Sequence, residues 1–210
     1  LIFGGLHKLT GSNYVERTVM KALRYDIAVY ATHTNLDLIS GGVNQRIGDK
    51  LGITRSQVLE PKKSLLKKLV VYVPQAQAET LRDAIFEAGA GSIGDYDQCS
   101  YALEGTGSFR PGEEAQPALG KRGSRHYEAE TRLEFLTEEF RLAPVLRAME
   151  EAHPYEEVAY DVIPLDNAHT EIGHGRWGRL PEPVATREFL EHIKAIFGGV
   201  LRYTHPPKDE

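Results

Sequence analysis

Two side chains in the 210-residue sequence are spaced so that their chemistry could act together: His33 and Asp37, in the word His33-Thr34-Asn35-Leu36-Asp37. An imidazole and a carboxylate are borderline-to-hard donors that suit zinc, iron, manganese and similar divalent ions. Two ligands do not complete a site. The same spacing also fits a plainer arrangement, with His33 capping a strand end and Asp37 N-capping the turn after it. Other reactive side chains are scattered. His153 ends a helical stretch, where its ring can meet the last helical carbonyls. Cys99, the single cysteine, falls in a strand pattern as a small apolar residue. Glu113-Glu114 and Glu138-Glu139 read as solvated charge, and Lys121-Arg122 with Arg125 as a solvated loop or a phosphate contact. Trp177 reads as a packing anchor.

The elements around His33 and Asp37 read as α/β. Over residues 13–24, Val15, Val19, Ala22 and Leu23 recur at helical spacing opposite Glu16, Arg17, Lys21 and Arg24, which predicts an amphipathic helix. Ile27-Ala28-Val29-Tyr30-Ala31 is a short apolar run, the pattern of a strand buried on both faces. Gly41-Gly42 opens a second helix with Val43, Ile47 and Leu51 as its stripe and Gly52 as its stop. His33 and Asp37 then lie in a loop past a strand's carboxyl end, where open α/β sheets place ligands.

After the charged turn Lys62-Lys63-Ser64 the periodicity restarts, and a new unit is expected from about residue 66. Leu69, Val71 and Val73 alternate, a helix with Leu81, Ala84, Ile85 and Ala88 on one face follows over 78–88, and a strand is expected over 95–103. Residues 127–135 alternate Tyr127, Ala129, Thr131, Leu133 and Phe135 against charged neighbours, a strand with one wet face. A helix carries Leu142, Val145, Leu146 and Met149, with Pro144 admissible only in its first turn, and a last strand covers 158–163. The order β-α-β-β-α-β is the ferredoxin-like arrangement of four antiparallel strands with two helices on one side. Residues 105–124, rich in Gly and Pro, are too long for a hairpin and read as a functional, oligomer-forming or mobile loop. Beyond Asp166 come a Gly-rich turn over 173–179 and a helix over 187–197, with Thr186 as N-cap and Gly198 past its end.

Composition narrows the partners. With 25 basic and 30 acidic residues the net charge is −5, so no polybasic surface favours nucleic acid. No apolar run approaches the ~18 residues of a membrane helix, and no signal-peptide layout opens the chain, so no membrane association is expected. One free cysteine fits a reducing, cytoplasmic compartment. The opening Leu1-Ile2-Phe3 reads as a cut strand and the end closes no element, so the chain reads as a fragment truncated at both ends.

The words His33-Thr34-Asn35-Leu36-Asp37, Gly41-Gly42-Val43-Asn44 and Leu51-Gly52-Ile53 closely resemble those of the Nif-three-like dinuclear-metal family, also known as GTP cyclohydrolase 1 type 2 proteins. Ile93-Gly94-Asp95-Tyr96-Asp97, Gly105-Thr106-Gly107-Ser108-Phe109-Arg110-Pro111 and His153-Pro154-Tyr155-Glu156-Glu157 look like words of its long members, so the resemblance spans nearly the whole chain. It implies a partial Nif-three-like α/β metal domain interrupted by a ferredoxin-like, CutA/PII-like α+β insert. The parts would be an N-terminal piece over 1–65, the insert over 66–165 and a return segment over 166–210. The resemblance also implies two divalent metal ions, with Asp37 as a ligand and His33 as a ligand or as the group that orients one. The family's N-terminal His-His and C-terminal His and Glu ligands have no counterpart in this sequence. Two functions stay open. One is a metal-dependent hydrolase that opens the guanine imidazole ring of GTP, its small-molecule substrate; the chain alone would be inactive. The other is a non-enzymatic metal-binding scaffold or regulatory protein, and in either case self-association as a homohexamer is implied.

Overall fold

The computed structural model describes residues 5–204. The strand expected at Leu1-Ile2-Phe3 lies outside them. The chain divides into two compact units, one made of Leu1–Leu59 and His174–Glu210, the other of Glu60–Gly173.

The first unit opens with α1 (Tyr14–Arg24). Its start is fixed by a reciprocal cap: Asn13 Oδ1 accepts from the Glu16 N–H (2.9 Å) and Asn13 Nδ2 donates to Glu16 Oε1 (2.9 Å). Val15, Val19 and Ala22 are half-buried, whereas Leu23 is exposed. The short helix α2 (Thr34–Leu38) and then α3 (Val43–Lys50) follow. The expected strand at 27–31 is not formed, and Ile27, Val29 and Tyr30 are exposed. A strand needs a neighbour to take its backbone hydrogen bonds, and none of the described residues supplies one there. β1 (Thr54–Pro61) pairs with β6 (Gly173–Arg179), with the Thr54 hydroxyl donating to the Arg179 carbonyl (2.9 Å). Thus 173–179, expected as a turn, is a strand, and β1 is one that its mostly polar sequence did not announce. Trp177 on β6 is about half exposed and anchors no core. In α6 (Thr186–Phe197), Thr186 is the first helical residue, and Ala185, not Thr186, stands at the N-cap position.

The second unit is ferredoxin-like. Its elements are β2 (Leu66–Pro74), α4 (Ala78–Glu87), β3 (Ser100–Phe109), β4 (His126–Glu138), α5 (Leu142–Ala152) and β5 (Tyr160–Pro164). The strands lie in the order β3-β4-β2-β5, every pair antiparallel. Leu69, Val71 and Val73 of β2 and Leu133 and Phe135 of β4 meet Leu81 and Ile85 of α4 and Val145 and Met149 of α5 in one core. Phe86 packs edge-on to Phe135 at 5.5 Å. Pro144 is the third residue of α5, where its missing N–H is no loss.

The opposite face of the sheet is charged. Glu134 accepts from Lys68 (2.7 Å) and lies 2.8 Å from Arg132, whose guanidinium stands over the Tyr72 ring at 5.9 Å. The Lys68 hydrogen bond, above all, lowers the Glu134 pKa. The strand expected over 95–103 is β3, which begins at Ser100 and runs to Phe109. Residues 105–109, expected to open the long loop, are therefore strand, and Cys99 sits just before β3, its Sγ 3.5 Å from the Asp97 carbonyl.

Candidate functional site

His33 occupies the N-cap position of α2, and Asp37 lies in its last turn. The word around them holds itself together. The His33 N–H donates to Asn35 Oδ1 (2.8 Å), the Leu36 N–H donates to the His33 carbonyl (2.9 Å), and the Thr34 hydroxyl bonds His33 Nδ1 (2.9 Å). Neither plain arrangement of the pair is formed: His33 caps no strand end, and Asp37 is inside the helix, half-buried. One turn of helix thus carries both candidate donors.

The Gly41-Gly42-Val43-Asn44 word explains itself by contact. Asn44 Nδ2 donates to the Asp37 carbonyl (2.9 Å), tying α3 to the end of α2. Gly42 lies so close to the Leu36 carbonyl that a Cβ at Gly42 would overlap it. Gln45 Oε1 accepts from the Gly41 N–H (2.7 Å) and the Ser40 hydroxyl (3.3 Å), closing the turn. Beside this turn an apolar groove of about 340 Å³ is lined by Leu36, Val43, Ile47 and Phe197, with Arg46 and Lys50 at its side. The stripe expected to be buried, Val43 and Ile47, forms its partly exposed wall.

An imidazole and a carboxylate are the right donor chemistry for a divalent ion, but they are two of the four or so that such an ion takes. Among the described residues no three His, Cys, Asp or Glu side chains converge as a metal cage. His33 and Asp37 would be part of a metal centre, not all of it.

Three further polar side chains are buried with purpose. Glu16, which sequence reasoning placed on the wet face of its helix, is 4% exposed and also accepts from Thr10 N (2.8 Å), Thr10 Oγ1 (2.7 Å), Ser12 N (3.2 Å) and Ser12 Oγ (3.2 Å). The Thr10 hydroxyl, first among these donors, brings its pKa down to about 2. The signal was readable as an Asn-x-x-Glu capping word. His153 Nε2 donates to the Tyr72 carbonyl (2.9 Å) and its Nδ1 accepts the Tyr155 N–H (3.1 Å). The ring therefore braces β2 to the turn after α5 and does not cap the helical carbonyls. His169, which had no visible signal, repeats the device: Nδ1 accepts from Glu171 N and Ile172 N (both 3.1 Å) and Nε2 donates to Glu138 (3.1 Å).

The loop 110–125 is ordered by bonds within it, Gly123 N–H to the Pro111 carbonyl (2.9 Å) and Arg122 Nε to the Ala115 carbonyl (2.7 Å), and by one to the turn after α5, Gln116 N–H to Glu156 Oε2 (2.8 Å). It walls a cleft of about 400 Å³ at the end of the charged sheet face, with Tyr72, Glu130 and Tyr155 on the other side. Neither Glu130 nor Tyr155 was picked out singly from the sequence, although Tyr155 lies in one of its recognised words.

A ferredoxin-like unit lying in sequence between the two parts of a helix-rich unit that carries a His-Thr-Asn-Leu-Asp turn defines an α/β protein with a ferredoxin-like insert. The chain belongs to the Duf34/NIF3 (NGG1p interacting factor 3) family, whose profile matches residues 1–210. It is 39% identical over 198 residues to a "GTP cyclohydrolase 1 type 2 homolog" of Halalkalibacterium halodurans, covering 94% of this chain and 53% of that protein. A protein of the same name in Bacillus subtilis is 41% identical over 194 residues, covering 92% of this chain and 52% of the relative. Among solved structures, the Bacillus cereus protein related to NIF3 is 40% identical with a TM-score of 0.73, covering 92% of this chain and 51% of that one. The chain thus spans about half the length of the relatives it matches. Among the described residues no helix is long and apolar enough to cross a membrane.

Proposed function

We propose that this chain supplies part of a divalent-metal-dependent hydrolase that opens the imidazole ring of a guanine nucleotide, with GTP as its substrate. The observation that carries the reading is the self-braced turn that sets His33 and Asp37 at one short helix, in a chain about 40% identical to relatives named "GTP cyclohydrolase 1 type 2 homolog". Asp37 would hold one or both of two divalent ions (zinc, iron or manganese), its negative charge offsetting theirs. His33 would hold a metal or orient what does, its ring fixed through Nδ1 by Thr34. When bound, the metals supply a hydroxide at neutral pH and polarise the bond to be cleaved. Assembly as a homohexamer belongs to the same reading, and the exposed edge strand β3, bearing Tyr101 and Leu103, offers an associating surface. A cytoplasmic setting fits the lone free Cys99.

The test uses a chain extended to the length of the relatives. Asp37→Asn is expected to lose bound metal and ring-opening of GTP together, while His33→Gln costs about 10- to 100-fold if His33 orients a ligand. Metal analysis with detection of released formate reads both. Full metal content and rate in Asp37→Asn would overturn the assignment. Metal binding without turnover of any purine nucleotide would leave the non-enzymatic scaffold as the function.

A further inference from the structure

The cleft at the end of the charged sheet face lies wholly in the second unit, contains neither His33 nor Asp37, and plays no part in the proposed hydrolysis. Its volume, about 400 Å³, is that of a small-molecule site. Its walls are apolar and aromatic: Phe109 stands 5.5 Å from the Tyr155 ring, edge-on, and Pro111, Pro117 and Leu119 complete the loop side. The loop is held shut against the turn after α5 by the Gln116–Glu156 bond, so the wall is built, not draped.

The polar floor is acidic. Glu130 Oε1 accepts from the Tyr155 hydroxyl (3.1 Å), while the rest of its carboxylate lies across Gly107, where any Cβ would displace it. Burial, then the Glu130 bond and charge, raise the Tyr155 pKa, so that hydroxyl stays a donor. Two cations of the same sheet face are spent elsewhere, because Lys68 and Arg132 both pair with Glu134. Arg110 also lines the cleft, together with the further carboxylates Glu156 and Glu157, but among the described residues no lysine or arginine forms an ion pair with Glu130. A half-buried carboxylate with spare acceptor capacity and no counter-ion, at the end of an aromatic slot, favours a cation that brings its own apolar body.

We propose that the cleft bounded by Glu130, Tyr155, Phe109 and the 110–119 loop binds a small organic cation, an ammonium head on a flat apolar body. The head meets the Glu130 carboxylate, and the body lies between Phe109 and the proline-rich loop. The Tyr155 hydroxyl aims the carboxylate, and Gly107 makes room for it.

Phenethylamine is the probe, titrated into the 210-residue chain by calorimetry, with phenylacetate as the matched anion. Saturable one-site binding of the amine is expected, with no heat from the anion. Glu130→Gln is expected to weaken it about tenfold or more, the scale of one charge-assisted hydrogen bond. Because Glu130 also braces Tyr155, Ala118→Trp is the second variant: Ala118 is an exposed loop residue lining the cleft, and the indole should block it without touching the core. Absence of saturable binding at millimolar amine, equal binding of phenylacetate, or unchanged affinity in both variants would each overturn the proposal.

Discussion

Protonating His153 would cost its ring the acceptor nitrogen that holds the Tyr155 N–H. Burial, against the opposing pull of the Tyr72 carbonyl and the Glu130 charge, keeps its pKa below the ordinary 6.5. The sign follows from linkage: the unfolded chain takes up a proton on His153 at a higher pH than the folded one, so this contribution is complete above about pH 6.5 and falls as pH drops toward the folded value. The melting temperature is expected to decline from pH 7 to pH 5.5, and His153→Gln to flatten that part of the profile. A variant with an unaltered slope would relieve His153 of this role. Gly107 makes the second prediction at this scale. Gly107→Ala is expected to push the flexible Glu130 carboxylate aside and break its bond to Tyr155 with little change in melting, since only a side-chain end must move. A shift of the Tyr155 ring resonances by NMR in a protein of nearly unchanged stability is the readout.

At the scale of elements, α1 shows how a start signal is spent. Asn13 Oδ1 takes the Glu16 N–H of the first turn and Asn13 Nδ2 meets the Glu16 carboxylate, while Thr10 and Ser12 fill the remaining acceptor sites of that carboxylate. Asn13→Ala is expected to cost about 0.5–2 kcal/mol by chemical denaturation, the usual range for an N-cap. Because folding depresses the Glu16 pKa to about 2 from 4.5, its contribution holds above about pH 4.5 and is lost as pH falls toward 2. Glu16→Gln should therefore be less stable than the parent at pH 6 and approach it at pH 2. An equal difference at both pH values would remove the carboxylate's charge from the account.

For the whole molecule, the second unit has a closed core of its own, with both helices on one side of four strands. Glu60–Gly173 expressed alone is expected to melt in one cooperative transition, and its charged sheet face to remain wet. A broad, non-cooperative loss of signal on heating would show that the unit depends on its flanks. The 210-residue chain is expected to bind zinc only weakly, because His33 and Asp37 would supply only two of the about four donors such an ion takes. A tight stoichiometric complex by calorimetry would require ligands beyond this pair.

What the sequence by itself determined is what depends on local spacing. The alternation of Leu69, Val71 and Val73 and of Thr131, Leu133 and Phe135, with the stripes of α4 and α5, specified the ferredoxin-like order, because a period of 2 or 3.6 is written in neighbouring residues. The words around His33 and Asp37 likewise showed the family and the candidate donors. Tertiary structure decided what depends on distant partners. Residues 27–31 are apolar enough for a strand yet lie exposed, since a ladder needs a neighbour; the polar Thr54–Pro61 is a strand because Gly173–Arg179 lies beside it. Glu130 and Tyr155, 25 positions apart, meet only because β4 and the turn after α5 close on one cleft, and no spacing along the chain announces a meeting made by the fold.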